Sequence, residues 1–118
     1  LAGRRGLAEQ AAAQRLSATD SEIRDDRHDA VAEVRRAFGE ALYRARTVDR
    51  LEQGLARLTT TKGIIERLAA AGESSGYDRR RVARELQGVG VRLETAAAEL
   101  ARSRAVLSAY FEEADPAE

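Results

Sequence analysis

Leu86, Leu93, Leu100 and Leu107 recur at a strict seven-residue interval, and no proline interrupts them. Val82, Val89, Ala96, Ser103 and Tyr110 recur at the same interval, offset by three or four. Together they form an a/d seam, the pattern of helices packing knobs into holes along a narrow line. A seam of this kind excludes a broad globular core and excludes strands, whose side chains alternate with a period of two. Upstream, Leu51, Leu58 and Ile65 share the step, with Val48 and Leu55 filling the alternate places. Val31, Val34, Phe38, Ala41, Ala45 and Val48 are expected to continue the apolar line. Leu42, Ile64 and Leu68 lie off it. They are either the edge of a broad stripe or a second flank for another neighbour.

Helix breakers mark where these segments end. The only proline is Pro116, and glycines cluster at Gly3 and Gly6 and again in Gly72-Glu73-Ser74-Ser75-Gly76. The expected fold is therefore all-α, a long antiparallel helical hairpin or coiled coil with unequal arms at about 7–72 and 79–111. The tip turn is placed at 72–78, and residues 1–118 are read as one hairpin segment. Gly72 is suited to C′, where a helix ends in the left-handed conformation. Asp78 is expected at the N-cap, with Tyr77 and Val82 as a hydrophobic staple. The turn is short enough to force the arms antiparallel. Ser17 to Asp29 is poor in apolar residues and offers capping side chains, but continuity of the first helix is favoured over a break there.

At about 1.5 Å per residue the first arm is expected to run roughly 100 Å and the second roughly 50 Å. The short arm covers half of the long one, and a long helix with a bare apolar seam is not stable alone in water. The chain begins at Leu1 rather than methionine. Both features read as a piece excised from something larger.

The side-chain inventory argues against catalysis. Lys and Arg number 20, as do Asp and Glu, so the net charge is zero, and a general nucleic-acid binder needs a positive excess. There is no cysteine and a single histidine, His28, in a polar run whose Asp25 and His28 are two ligands at most. Gly72–Gly76 lacks the GK[ST] and the preceding strand of a phosphate loop. No apolar run approaches the roughly 18 residues of a bilayer-spanning helix. No enzyme activity, cofactor or metal is expected. Arg79, Arg80 and Arg81 directly follow the assigned N-cap, where cations oppose the helix dipole. They are either a solvated run, with Arg81 pairing to Glu85, or a contact for an acidic partner at the tip.

The run Arg67-Leu-Ala-Ala-Ala-Gly-Glu-Ser-Ser-Gly-Tyr-Asp-Arg-Arg-Arg-Val-Ala-Arg-Glu-Leu86 resembles the hairpin of the TolC-like outer-membrane efflux factors, and its Ser-Gly-Tyr-Asp version looks most like their heavy-metal and cation efflux branch. Gly3-Arg4-Arg5-Gly6 is similar to the glycine-arginine stretch that follows a barrel strand in those proteins. The segment Ala32–Tyr43 is similar to the middle of their long helix. The resemblance covers one long and one half-length helix of one of their two structural repeats. It implies a homotrimer whose helices form a periplasmic conduit continuous with an outer-membrane barrel. It also implies docking of a periplasmic adaptor protein, and through it an inner-membrane pump, by the hairpin tip. By position the tip is Gly72, Glu73, Ser74, Ser75, Gly76, Tyr77 and Asp78, with Arg79 and Arg80 beside it. No membrane strands are in the sequence, so membrane contact would come from other parts of such a protein.

Two other roles fit the pattern. The hairpin of a membrane-fusion adaptor carries Arg, Leu and Ser at seven-residue steps across its tip. Leu68 and Ser75 match, but the arginine position is Thr61. A free-standing coiled-coil scaffold or chaperone would have arms of similar length.

Overall fold

The computed structural model describes residues 2–112. It is all-α, with helix α1 at Ala2–Ala70 and helix α2 at Gly76–Glu112. The chain divides into two units, residues 1–36 and residues 37–118.

In the first unit, residues 2–36 are helical throughout. The polar stretch from Ser17 to Asp29 does not break. Thr19, a candidate cap for a fresh helix, instead turns its hydroxyl back to donate to the Arg15 carbonyl at 2.9 Å. That bond satisfies the side chain within an uninterrupted helix. Leu7, Leu16, Ile23 and Val31 are exposed, and among the described residues of this unit only Ala32 and Val34 are partly covered.

The second unit is an antiparallel helical hairpin. In α2 the seam positions Val82, Leu86, Val89, Leu93, Ala96, Leu100, Ser103, Leu107 and Tyr110 are all covered, and Gly76, Asp78, Gly90 and Glu99 beside them are also partly covered. Val82, Val89, Ala96 and Leu100 are the buried residues among these seam positions. On α1 the covered positions alternate by four and three: Ala37, Ala41, Arg44, Val48, Leu51, Leu55, Leu58, Lys62, Ile65 and Ala69. Ala45, Thr47, Gly54 and Gly63 beside them are also partly covered.

Two details of the α1 line differ from the expectation. Phe38 is 57% exposed and stands off the seam. Running the alternation back from Ala41 lands on Ala37, one residue earlier. Running it forward reaches Arg44 and Lys62, whose long aliphatic stems can cover a seam while their charges stay in water. Leu42, Ile64 and Leu68 are 42%, 45% and 39% exposed, against 67% and 69% for Leu7 and Leu16 in the first unit, so they lie beside the seam with part of each side chain covered and the rest open to water.

The register is marked at two levels. Arg44 Nη1 donates to Glu99 Oε2 across the arms. Nearer the tip, Leu58, Thr61 and Ile65 line a shallow groove with Asp78, Arg81, Val82 and Glu85. Both pairings have the same offset, so the arms keep one register along the hairpin. Among the described residues, no helix is long and apolar enough to cross a membrane.

Candidate functional site

The candidate site is the turn between the helices, residues 71–75. Its first half is dictated by Gly72, whose φ of 79° lies in the left-handed region. Only glycine adopts that conformation without a Cβ clash. The Gly72 N–H donates to the Ala69 carbonyl at 3.0 Å, and the Glu73 N–H reaches back to the Leu68 carbonyl at 2.8 Å. These are the two bonds of a Schellman cap with Gly72 at C′, and they satisfy carbonyls that the helix end leaves free. Gly72 therefore has the role assigned from sequence.

The second half of the turn differs from that assignment. Helix α2 begins at Gly76, three residues before 79. Its N-cap is Ser75, whose hydroxyl oxygen accepts the Asp78 N–H at 3.2 Å and whose hydroxyl donates to Asp78 Oδ2 at 2.8 Å. Asp78 is then N3, inside the first turn, where a carboxylate favours the positive end of the helix. Ser75-Gly76-Tyr77-Asp78 is a serine followed three residues later by an acid, which is the signature of this arrangement. Assigning the cap to Asp78 passed over the serine before it. The expected staple falls with it, because Tyr77 becomes N2 and is 65% exposed.

The three arginines also move relative to the helix start. With Ser75 as the cap, Arg79, Arg80 and Arg81 stand at N4 to N6, beyond the first turn where the dipole acts most strongly. The dipole penalty read from sequence is correspondingly smaller. Arg81 Nε donates to Glu85 Oε1 at 3.3 Å, the i,i+4 pair anticipated from the spacing. Among the described residues, neither Arg79 nor Arg80 forms an ion pair. Both guanidinium groups lie over Gly76: a Cβ built there would stand 3.3 Å from Arg80 Nη1 and 3.9 Å from Arg79 Nη2. The tip thus presents an exposed tyrosine and two arginines held beside each other, on a turn capped at both ends. Glu73 and Ser75 are exposed at the same turn, while Ser74, Gly76 and Asp78 are partly covered.

A second polar cluster lies at the other end of the hairpin and was not anticipated. Arg44 Nε donates to Glu40 Oε1 at 2.7 Å. The same guanidinium bonds Glu99 and lies 5.7 Å from the centre of the Tyr43 ring. The hydrogen bond that it donates to Glu40 raises the Arg44 pKa above its ordinary value; desolvation opposes this, and the fields of Glu99, Glu40 and Tyr43 add to the rise. The spacing of Glu40 and Arg44 shows the local pair, but Glu99 could be joined to it only once the register was known. The exposed His28 side chain stands in the first unit. Among the described residues no group of three or more His, Cys, Asp or Glu side chains is arranged to hold a metal ion.

Comparisons with protein families, with curated proteins and with solved structures found no match to this chain.

Proposed function

We propose that this chain is a periplasmic α-helical hairpin of an outer-membrane efflux channel subunit of the TolC-like kind, in its heavy-metal or cation branch. In this reading the chain performs no catalysis. Its helices form part of the export conduit within a homotrimer. Its tip, from Gly72 to Arg80, docks the periplasmic adaptor protein that links the channel to the inner-membrane pump. Contact with the outer membrane belongs to other parts of the full protein.

The reading starts from the resemblance of the tip sequence, and apolar surface left open on the chain supports it. Leu42, Ile64 and Leu68 keep part of their surface open beside the hairpin seam, and Leu7, Leu16, Ile23 and Val31 are exposed along the first unit. Helices with apolar residues on a second flank are suited to neighbours on both sides, as the staves of a helical barrel require. Helix α1, at 69 residues against 37 for α2, also fits one long and one half-length helix of a repeat better than the matched arms of a scaffold. Thr61 at the position of the adaptor-hairpin arginine disfavours that alternative.

Tyr77→Ala tests the docking role. Tyr77 is 65% exposed, so its truncation should change hairpin stability by no more than about 0.5 kcal/mol. As an exposed aromatic at a contact centre it should, when truncated, weaken adaptor binding by about tenfold or more, measured by titration calorimetry with a purified periplasmic adaptor of the same organism. Unchanged affinity with unchanged stability would remove the tip from the docking surface.

A further inference from the structure

Three of the hairpin's glycines share one level. The register set by Arg44–Glu99 and by the groove between Leu58–Ile65 and Asp78–Glu85 places Gly54 of α1 opposite Val89 of α2, which is flanked by Gly88 and Gly90. All three are helical, and none has a positive φ. A Cβ added at any of them would meet nothing within 4 Å. Neither a turn nor a close approach of the arms therefore requires glycine here. In a helix interior glycine is less favourable than alanine because it gives up more backbone freedom. Both helices are thus weakened at the same cross-section without a packing reason.

The hydrogen bonds next to these glycines weaken the same level further. Thr59, Thr60 and Thr61 donate their hydroxyls to the carbonyls of Leu55, Ala56 and Arg57 at 2.8, 3.2 and 3.0 Å. Those carbonyls directly follow Gly54. On α2, Thr95 donates to the carbonyl of Val91, which directly follows Gly90, at 3.0 Å. A hydroxyl back-bond of this kind competes for the helical carbonyl and bends the helix. Among the described residues, such bonds elsewhere are never consecutive along one helix, although those on Tyr43 and Glu99 lie at the level of the Arg44–Glu99 pair.

We infer that the hairpin bends as a unit at the level of Gly54, Gly88 and Gly90, so that its tip section swings against the section holding Arg44 and Glu99. Because the two weak points lie side by side, bending does not require one helix to slide past the other. The buried seam on either side stays packed. The bend follows from helix chemistry alone, whatever partner the tip meets.

The test is residual dipolar coupling by NMR on the full chain, fitted separately for residues 56–86 and for residues 41–52 with 92–107. In the native chain the two sections should need different alignment tensors, with fitted helix axes diverging by about 20° or more, the scale of a kink. The variant Gly54→Ala/Gly88→Ala/Gly90→Ala, which adds helix propensity without a clash, should bring both sections under one tensor. The control Gly39→Ala/Gly63→Ala also adds two alanines but faces no glycine across the seam, and it should leave the two tensors distinct. A single tensor in the native chain would overturn the inference. So would two tensors surviving in the triple variant, or a control that merges them equally well.

Discussion

Among the described residues, Leu100 is the large buried side chain nearest the far end of the hairpin, at the level of Ala41 and Arg44, and it is 9% exposed. Leu100→Ala removes three carbons from the seam, and at about 0.8 kcal/mol each the lost transfer energy approaches 2.4 kcal/mol. The residual exposure trims this slightly. A two-helix seam is open on both sides, so the neighbours can close in and little cavity penalty should be added. The expected loss is about 2 kcal/mol, at the low end for a Leu→Ala change in a globular core. Urea unfolding followed by helical circular dichroism, at matched protein concentration, would read it as a lowered midpoint with the slope unchanged. The control is Val91→Ala on the same helix. Val91 is 59% exposed, and its truncation should stay within about 0.5 kcal/mol of the native chain. If the two variants lose the same amount, the seam does not run where Leu100 and Val89 place it.

Ser75→Ala should destabilise the hairpin by about 1 kcal/mol, because it leaves the Asp78 N–H without its cap. Unfolding midpoints of Ser75→Ala and Ser74→Ala distinguish the cap from its neighbour, and equal effects would put the helix start elsewhere. Arg44→Gln and Glu99→Gln, combined in a double-mutant cycle, should show a favourable coupling that shrinks as salt is raised from 0.05 to about 0.5 M. The Arg44 pKa is raised in the folded state, so its contribution is complete below the ordinary arginine value. It is lost only as pH climbs through the folded value at the alkaline extreme. A cycle with no coupling at low salt would mean that the arms are not paired there.

The sequence showed the hairpin because its signal is periodic. Each seam position of α2 could be read by counting sevens, and Gly72 stood out as a residue with few other uses at a helix end. The cap was misread because Ser75 and Asp78 are both good N-cap residues, and only the hydrogen bonds show which one takes the free N–H. Arg44 and Lys62 were missed as seam positions because an apolar filter discards charged side chains, although their stems fill the same four-three alternation. The weak level at Gly54, Gly88 and Gly90 needed the register, which no single helix carries. The proposed role comes from resemblance at the tip. Exposed apolar residues on α1 leave room for further neighbours.

A seam of leucine, valine and alanine repeated every seven residues is nearly indifferent to a slip of one heptad, since each apolar residue finds an equivalent place. The five-residue turn, closed by the Schellman cap and by Ser75, opposes such a slip at the tip. Its influence fades along arms joined only there, and the level of Arg44 is far from it. At that level, moving α2 by seven residues would replace Glu99 with either Arg92 or Val106. Arg44 would then face a like charge or lose its partner, while in the observed register it is held by Glu40 and Glu99 together. Such a pair on the surface adds little stability. Its value is in what it excludes: a polar residue at a seam position selects one register among several that burial alone would allow. With the register fixed at both ends, the glycines between them stay opposite one another, which lets the hairpin flex without losing its pairing.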